Sequence, residues 1–268
     1  MDGFTGKIKE FARKEGTDMI GIASADAFED ESTKPRDLLP GAKSVVVLGM
    51  SILKGACRLL DNGEPAHPRM FPSSHQMVGR EINRVAHRIA VFIERNGHEA
   101  VMVRAYYGAP IDWETRGMIG DFPMRRAAVE AGLGEIGDNK LLINEEFGSR
   151  LWLVPIITTA QLDPDGRFEG EICDHCGLCI DACPTGFLDK SEGSLREYLK
   201  EASKCMYHNE PGALAGLLRF LENKIIGKSE EEKLSAVKTP EFWNIWYFLL
   251  YGGISYECGK CMRICPKG

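Results

Sequence analysis

Residues 173–184 read CDHCGLCIDACP. Cys173, Cys176, Cys179 and Cys183 stand at gaps of two, two and three residues, and Pro184 follows the last. A second stretch, CGKCMRICP at 258–266, repeats the end of that pattern with Cys258, Cys261, Cys265 and Pro266. Thiols this close along a long chain with no secretion signal suit a metal better than a disulfide framework.

C-x2-C-x2-C-x3-C-P is the run that binds 4Fe–4S clusters in bacterial ferredoxins. The first three cysteines wrap one corner of a cubane, and the N–H groups of the loop offset the charge on its sulfides. The three-residue gap begins a helical turn that carries the fourth cysteine away, so in two-cluster proteins it ligates the other cluster. Applied to both stretches, this gives cluster one as Cys173, Cys176, Cys179 and Cys265. Cluster two then holds Cys183, Cys258 and Cys261 and lacks one ligand.

Two of the nine cysteines remain, Cys57 in LKGACRLL and Cys205 in SKCMYHNEP. Cys205 lies inside the cysteine-rich part and is assigned as the missing ligand. His208 is its rival, because imidazole replaces thiolate on some iron–sulfur centres. Cys57, far upstream, reads as a buried free thiol. Zinc is the alternative metal, but zinc sites built on CxxC pairs do not need the x3-C-P half. Two such clusters pass single electrons and bind no carbon substrate while every iron keeps a cysteine. Any further chemistry falls to the rest of the chain.

Upstream, strand and helix signals alternate. Phe4, Ile8, Phe11 and Ala12 share a helical face that Gly16 ends. TDMIGIAS reads as a short strand, and KSVVVLGMSI as an apolar strand buried on both faces. Residues 75–97 carry the clearest helical period, through Ile82, Val85, Ala86, Ile89, Ala90 and Ile93, with Asn96-Gly97 at its end. EAVMVRAYY predicts a strand, PMRRAAVEAG a helix between a proline and a glycine, and LWLVPIITTA a further buried strand. The order argues for an α/β layer fold over 1–162. The turn Asp163-Pro164-Asp165-Gly166 opens the cysteine-rich part, 163–268, which contains a helical insertion at about 195–256.

The 268 residues suffice for one large domain or two modest ones. With 44% apolar and 27% charged residues the composition is that of an ordinary globular protein. No apolar run is long enough to span a membrane and no signal peptide is evident, so a cytoplasmic location is expected. The formal net charge of −6 gives no support for nucleic-acid binding. The aromatic stretch 242–256 reads as core or as a contact between copies in a homo-oligomer.

AGLGEIGDNKLLINEEFGSRLWLVPIITTAQLDPD at 131–165, followed by the cysteine motif, resembles epoxyqueuosine reductase and the related reductive dehalogenases. GTDMIGIASADAF, PRDLLPGAKSVVVLGMSI and SKCMYH resemble the same family, the last at its isolated cluster ligand. The resemblance implies a nitroreductase-like, cobalamin-binding α/β core joined to a two-cluster ferredoxin-like module. In that family the clusters reduce the corrinoid, which drives reduction of a bound substrate. A helical-repeat domain that helps bind tRNA in the family is not found after Pro266, so no nucleic-acid partner is expected.

What the resemblance implies for single residues follows its motifs. Gly132, Gly134 and Gly137 are candidates for close backbone approach to a macrocycle; from the residues themselves, Tyr107 at the end of a predicted strand is a further candidate cofactor contact, and Arg125 is another for an anionic group, with a solvated side chain as its alternative. Asp121, Tyr106 and His75 are the candidate proton donors. Each has an ordinary structural alternative: a helix-start acid, a sheet-edge aromatic and a capping or surface histidine. The function expected is an iron–sulfur oxidoreductase feeding electrons from a low-potential donor to a corrinoid, for reductive chemistry on a small substrate. The alternative is an electron carrier that reduces a corrinoid protein partner. A flavin is the alternative cofactor.

Overall fold

The computed structural model describes residues 3–58, 70–104, 120–189, 202, 204–205, 214–247 and 258–267. Its centre is a four-stranded sheet in the order β1-β2-β6-β3. β1 is Met19–Ser24, β2 Ser44–Ser51, β3 Ala100–Met102 and β6 Leu151–Thr158. Every neighbouring pair is antiparallel, with Val46 opposite Ile22 on one side and Ile156 on the other. The expected layering of helices on strands is present, and it is built on an antiparallel sheet.

Alternation along the strands explains the layers, since successive side chains point to opposite faces. Ile22, Val46, Leu48, Val154 and Ile156 face one core, shared with Ile8 and Ala12 and with Ile82, Val85, Ala86, Ile89 and Ile93. These come from α1 (Phe4–Lys14) and α4 (Met70–Arg95). Ala23, Val45, Val47, Leu153 and Ile157 face a second core, shared with Ala127, Ala128 and Val129 of α5 (Met124–Glu130) and with Phe28 and Phe122. β2 is therefore buried on both faces, as its apolar run predicts. Each fully buried Ile of α4 contributes about 1.5–3 kcal/mol by leaving water.

The short helices α2 (Pro35–Leu38) and α3 (Lys54–Arg58) flank β2. The long helix starts five residues ahead of the predicted position, and among the described residues of the strand predicted over 99–107 the pairing runs over Ala100–Met102; residues 105–107 lie outside the described residues. Val103 N–H still reaches Pro155 O at 2.8 Å. The turn that opens the cysteine-rich part is anchored to the layers. Asp165 accepts from Lys9 of α1 and from the Ile22 N–H, and its own N–H donates to Ile22 O.

Past that turn lie α6 (Leu178–Asp181) and α10 (Lys260–Ile264), which pack on each other. Between them in sequence, α7 (Leu214–Lys224), α8 (Glu230–Ala236) and α9 (Pro240–Tyr247) gather around Phe220, Ala236 and Ile245. Ser229 and Glu232 form a capping box at the start of α8, which accounts for the acidic GKSEEEKL segment. No helix among the described residues is long and apolar enough to cross a membrane.

Candidate iron–sulfur centre

The centre is assembled against a hairpin that the sequence hides. After α5 the chain enters β4 (Glu135–Ile136), turns, and returns as β5 (Leu142–Ile143). A Cβ on Gly134 would lie 2.1 Å from Ile143 O, and one on Gly137 would lie 2.2 Å from Ile143 Cδ1. Gly132 has φ 74°, and its Cβ would stand 2.9 Å from Gly166 O. The close approach that these three glycines permit is thus to the chain itself, and a ligand is not needed to explain them.

The hairpin grips the cysteine loop. Glu135 Oε1 accepts from the Ile172 N–H at 2.6 Å and also from the Cys173 N–H. Asp138 Oδ1 lies 3.0 Å from Nδ1 of His175, a residue held at φ 52°. The hydrogen bond to Asp138 raises the imidazole above its ordinary value. Asp138, Cys173 and His175 bring ligand atoms within 4.8 Å of one another.

One cavity is lined by Cys173, Cys176, Cys179 and Cys265, together with Asp138, Asn139, Ile143, Gly177, Leu178, Pro266 and Lys267. Cys265 reaches it because the final residues fold back: Lys267 Nζ lies 3.7 Å from Asp174 Oδ2. The two CxxC segments are built alike. Gly177 and Gly259 both take left-handed backbone, at φ 75° and 56°, and each begins a short helix. Burial raises the Cys265 thiol, and charge on Cys173 and Cys176 adds to the rise against a bond from the Lys267 N–H. Burial likewise raises Cys179, with Asp138 adding to it. Four thiols converging on one cavity fit a metal cluster, because a cation offsets their mutual repulsion and permits ionisation.

The other four predicted ligands form a second group. Cys183, Cys205 and Cys261 pack around Cys179, Phe187 and Leu188. Burial pushes the Cys205 thiol up to about 11, and Cys258 and Cys183 push in the same direction. Burial pushes Cys261 up to about 12, with Cys205 and Cys258 adding. Cys183 differs. Burial is its largest single influence and raises it, but bonds from Thr185 and from the amides of Leu188, Thr185 and Phe187 together leave it lowered. Amides and a hydroxyl gathered on one sulfur fit a cluster thiolate, whose negative charge they stabilise.

The remaining predicted residues separate by environment. His75 is buried in α4, its ring 4.2 Å from Trp152 and 5.7 Å from Phe71. Neither the capping nor the surface alternative describes it. Asp121 is exposed and lies ahead of Pro123, the cap of α5, which has no side-chain capping bond. Arg126 is committed to Asp30, Glu31 and Ala27 O. Arg125, its neighbour, is exposed, and its charge reaches Cys205 and lowers that thiol. Cys57 is buried in the core with Phe71 and Met262. Trp243 and Trp246 are exposed on α9. Tyr106, Tyr107, His208 and the aromatic residues 248–256 lie outside the described residues. Sequence reasoning missed Glu135, Asp138 and Asn139; the GEIGDN stretch carries them with no period to mark a hairpin.

Comparison with known proteins bears on the first cysteine stretch and on the fold. A 4Fe-4S binding domain matches residues 168–189. The epoxyqueuosine reductase of Bacillus cereus is 30% identical over 288 residues, covering 96% of this chain and 62% of that protein. A crystal structure of epoxyqueuosine reductase with an epoxyqueuosine-modified tRNA-Tyr stem loop aligns at a TM-score of 0.55 and 20% identity, over 98% of this chain and 64% of that one. A reductive dehalogenase whose structure suggests a mechanism for B12-dependent dehalogenation aligns at a TM-score of 0.55 and 18% identity, over 91% and 35%. The chain spans 64% and 62% of the length of two epoxyqueuosine reductases it matches, those of Pseudomonas aeruginosa and Bacillus cereus.

These findings overturn the expectation of no nucleic-acid partner, since relatives of this chain are epoxyqueuosine reductases and one such enzyme has been solved with a tRNA stem loop. The physical error is plain. Net charge is a sum over the whole chain, whereas phosphates are met by a local group of side chains.

Proposed function

We propose that this chain, which is similar to epoxyqueuosine reductases and matches a 4Fe-4S binding domain over residues 168–189, is a reductase with two 4Fe–4S clusters serving a corrinoid. Cys173, Cys176, Cys179 and Cys265 hold one cluster. Cys183, Cys205, Cys258 and Cys261 hold the other. The observation that carries this reading is the exchange between the two cysteine stretches, with Cys265 at the cavity of Cys173, Cys176 and Cys179 and Cys183 beside Cys205. The reading keeps 1–162 as the layered part and 163–268 as the cysteine-rich part.

A bound corrinoid supplies low-potential two-electron chemistry that opens a carbon–oxygen or carbon–halogen bond. Arg125 would hold an anionic group of that cofactor near the second cluster. The two cysteine groups share the packing around Cys179 and Phe187, so clusters held there would be close enough to exchange single electrons. Asp121 is the exposed acid beside α5 available to deliver a proton. His75, enclosed by Trp152 and Phe71, is suited to holding the second thiol group in position through Phe71. The names of the relatives point to an epoxide as the substrate class, and epoxyqueuosine carried on tRNA is the first substrate to try.

The test is anaerobic purification followed by iron and sulfide analysis. About eight iron atoms per chain are expected, and about four would sink the two-cluster reading. Adding cobalamin to the reduced protein should change its visible spectrum. An unchanged spectrum with every corrinoid tried would sink the corrinoid. Formation of queuosine from an epoxyqueuosine-modified stem loop is the activity readout.

A further inference from the structure

Asn139 stands at the tip of the β4–β5 hairpin, on the wall of the cavity that Cys173, Cys176, Cys179 and Cys265 line. Its side chain is 4% exposed. Its two polar atoms differ. Oδ1 accepts from the Leu141 N–H at 3.1 Å and so closes the turn. Nδ2 is buried and has no hydrogen-bond partner. The acceptor role of Oδ1 fixes which end of the amide is the donor, so the orphan is an N–H group. A buried donor with no acceptor is costly, and few persist without a reason.

Asp138 and Asp174 line the same cavity but face His175 and Lys267, so the converging sulfurs are the acceptors left to it. The atoms that converge there are sulfurs, and a cluster adds bridging sulfides, which accept N–H bonds. We propose that Asn139 Nδ2 donates a hydrogen bond to a sulfur of the cluster held by Cys173, Cys176, Cys179 and Cys265, and thereby sets the potential of that cluster above that of a cluster lacking the bond. The inference rests on the cluster assignment proposed above. Its direction follows from charge. The reduced cluster carries one more electron on the same sulfurs, so a donor stabilises it more than the oxidised form. Asn139 belongs to the α/β part, so the bond lets the layer domain tune an electron carrier whose ligands all come from the cysteine-rich part.

The test is Asn139→Ala in the full chain, purified anaerobically, with the potential of each cluster followed by EPR. Iron content unchanged from wild type, with one cluster about tenfold harder to reduce, supports the proposal. That is a fall of ~59 mV for a one-electron couple. Unchanged iron with both potentials unchanged overturns it. If Asn139→Ala loses iron, Asn139→Asp takes its place, because it keeps the acceptor for Leu141 and removes the amide donor. Pulsed EPR on protein labelled with 15N at asparagine then decides. Coupling of one cluster to asparagine nitrogen in the wild type, absent from Asn139→Asp, supports the bond. No such coupling in the wild type overturns it. Failure of the underlying assignment looks different: Cys176→Ala would then leave the iron content unchanged.

Discussion

The backbone of Gly259 lies against the ring of Phe71. A Cβ at Gly259 would stand 2.8 Å from Phe71 Cζ, and the residue holds φ 56°. This contact docks the second cysteine stretch on the first turn of the long helix α4, close to buried His75. Gly259→Ala meets both a steric and a backbone penalty, together about 2–4 kcal/mol. The expected outcome is loss of the cluster on Cys258 and Cys261, with the other retained, read as a halving of iron content and the disappearance of one EPR signal. Full iron content in this variant would show that the docking is not required for the second cluster.

Glu135 gives the equivalent contact for the first cysteine stretch. Its carboxylate takes the N–H groups of Ile172 and Cys173. Glu135→Ala strands both donors in a half-buried setting, at about 1–3 kcal/mol for each. The cavity cluster should then assemble poorly, while Glu135→Gln, which keeps an acceptor, should retain its iron. Equal iron in wild type and Glu135→Ala would remove Glu135 from the account.

The two contacts show where sequence reading succeeds and fails. The three- and four-residue period of α4 and the alternation of β2 and β6 are local signals, and local packing obeys them. The cysteine gaps are local as well. The β4–β5 hairpin has two-residue strands, too short to display any period, and Glu135 meets its partners 37 and 38 residues away. The glycines Gly134 and Gly137 were visible, but a glycine records only that something lies close. Here that something is Ile143. The net charge of −6 was equally visible and equally non-local, which is why it said nothing reliable about tRNA.

Cys205 and Cys57 are the two cysteines outside the repeated motifs, and the structure surrounds them differently. Cys205 shares its packing with Cys183 and Cys261. Cys57 sits among Phe71, Met262 and the side chains of α4. Cys205→Ala should remove one cluster and leave the other. Cys57→Ala should keep all the iron and cost about 1 kcal/mol through a small cavity. Anaerobic iron analysis on the two variants side by side is sufficient. Loss of iron from Cys57→Ala with none from Cys205→Ala would reverse the ligand assignment.

Arg126 supplies the pH-dependent prediction. Its guanidinium bonds Asp30 at 2.7 Å and 2.9 Å, Glu31 at 2.6 Å and Ala27 O at 2.9 Å. It thereby fastens the segment after the 3-10 turn Ala25–Phe28 onto α5. The hydrogen bond from Arg126 is the main reason that the Asp30 carboxyl is held below its usual range. A carboxyl depressed in the folded state contributes stability above its unfolded value near 3.8, and that contribution is lost as pH falls through the lower folded value. Arg126→Gln should therefore lower the Tm at pH 7. The gap between wild type and variant should narrow as the pH is taken below about 4, as Asp30 becomes protonated in both. Thermal melts of the two proteins at pH 7, 5 and 3 measure it. A gap that stayed the same from pH 7 to pH 3 would mean that Arg126 acts through packing of its stem and not through its carboxylate partners.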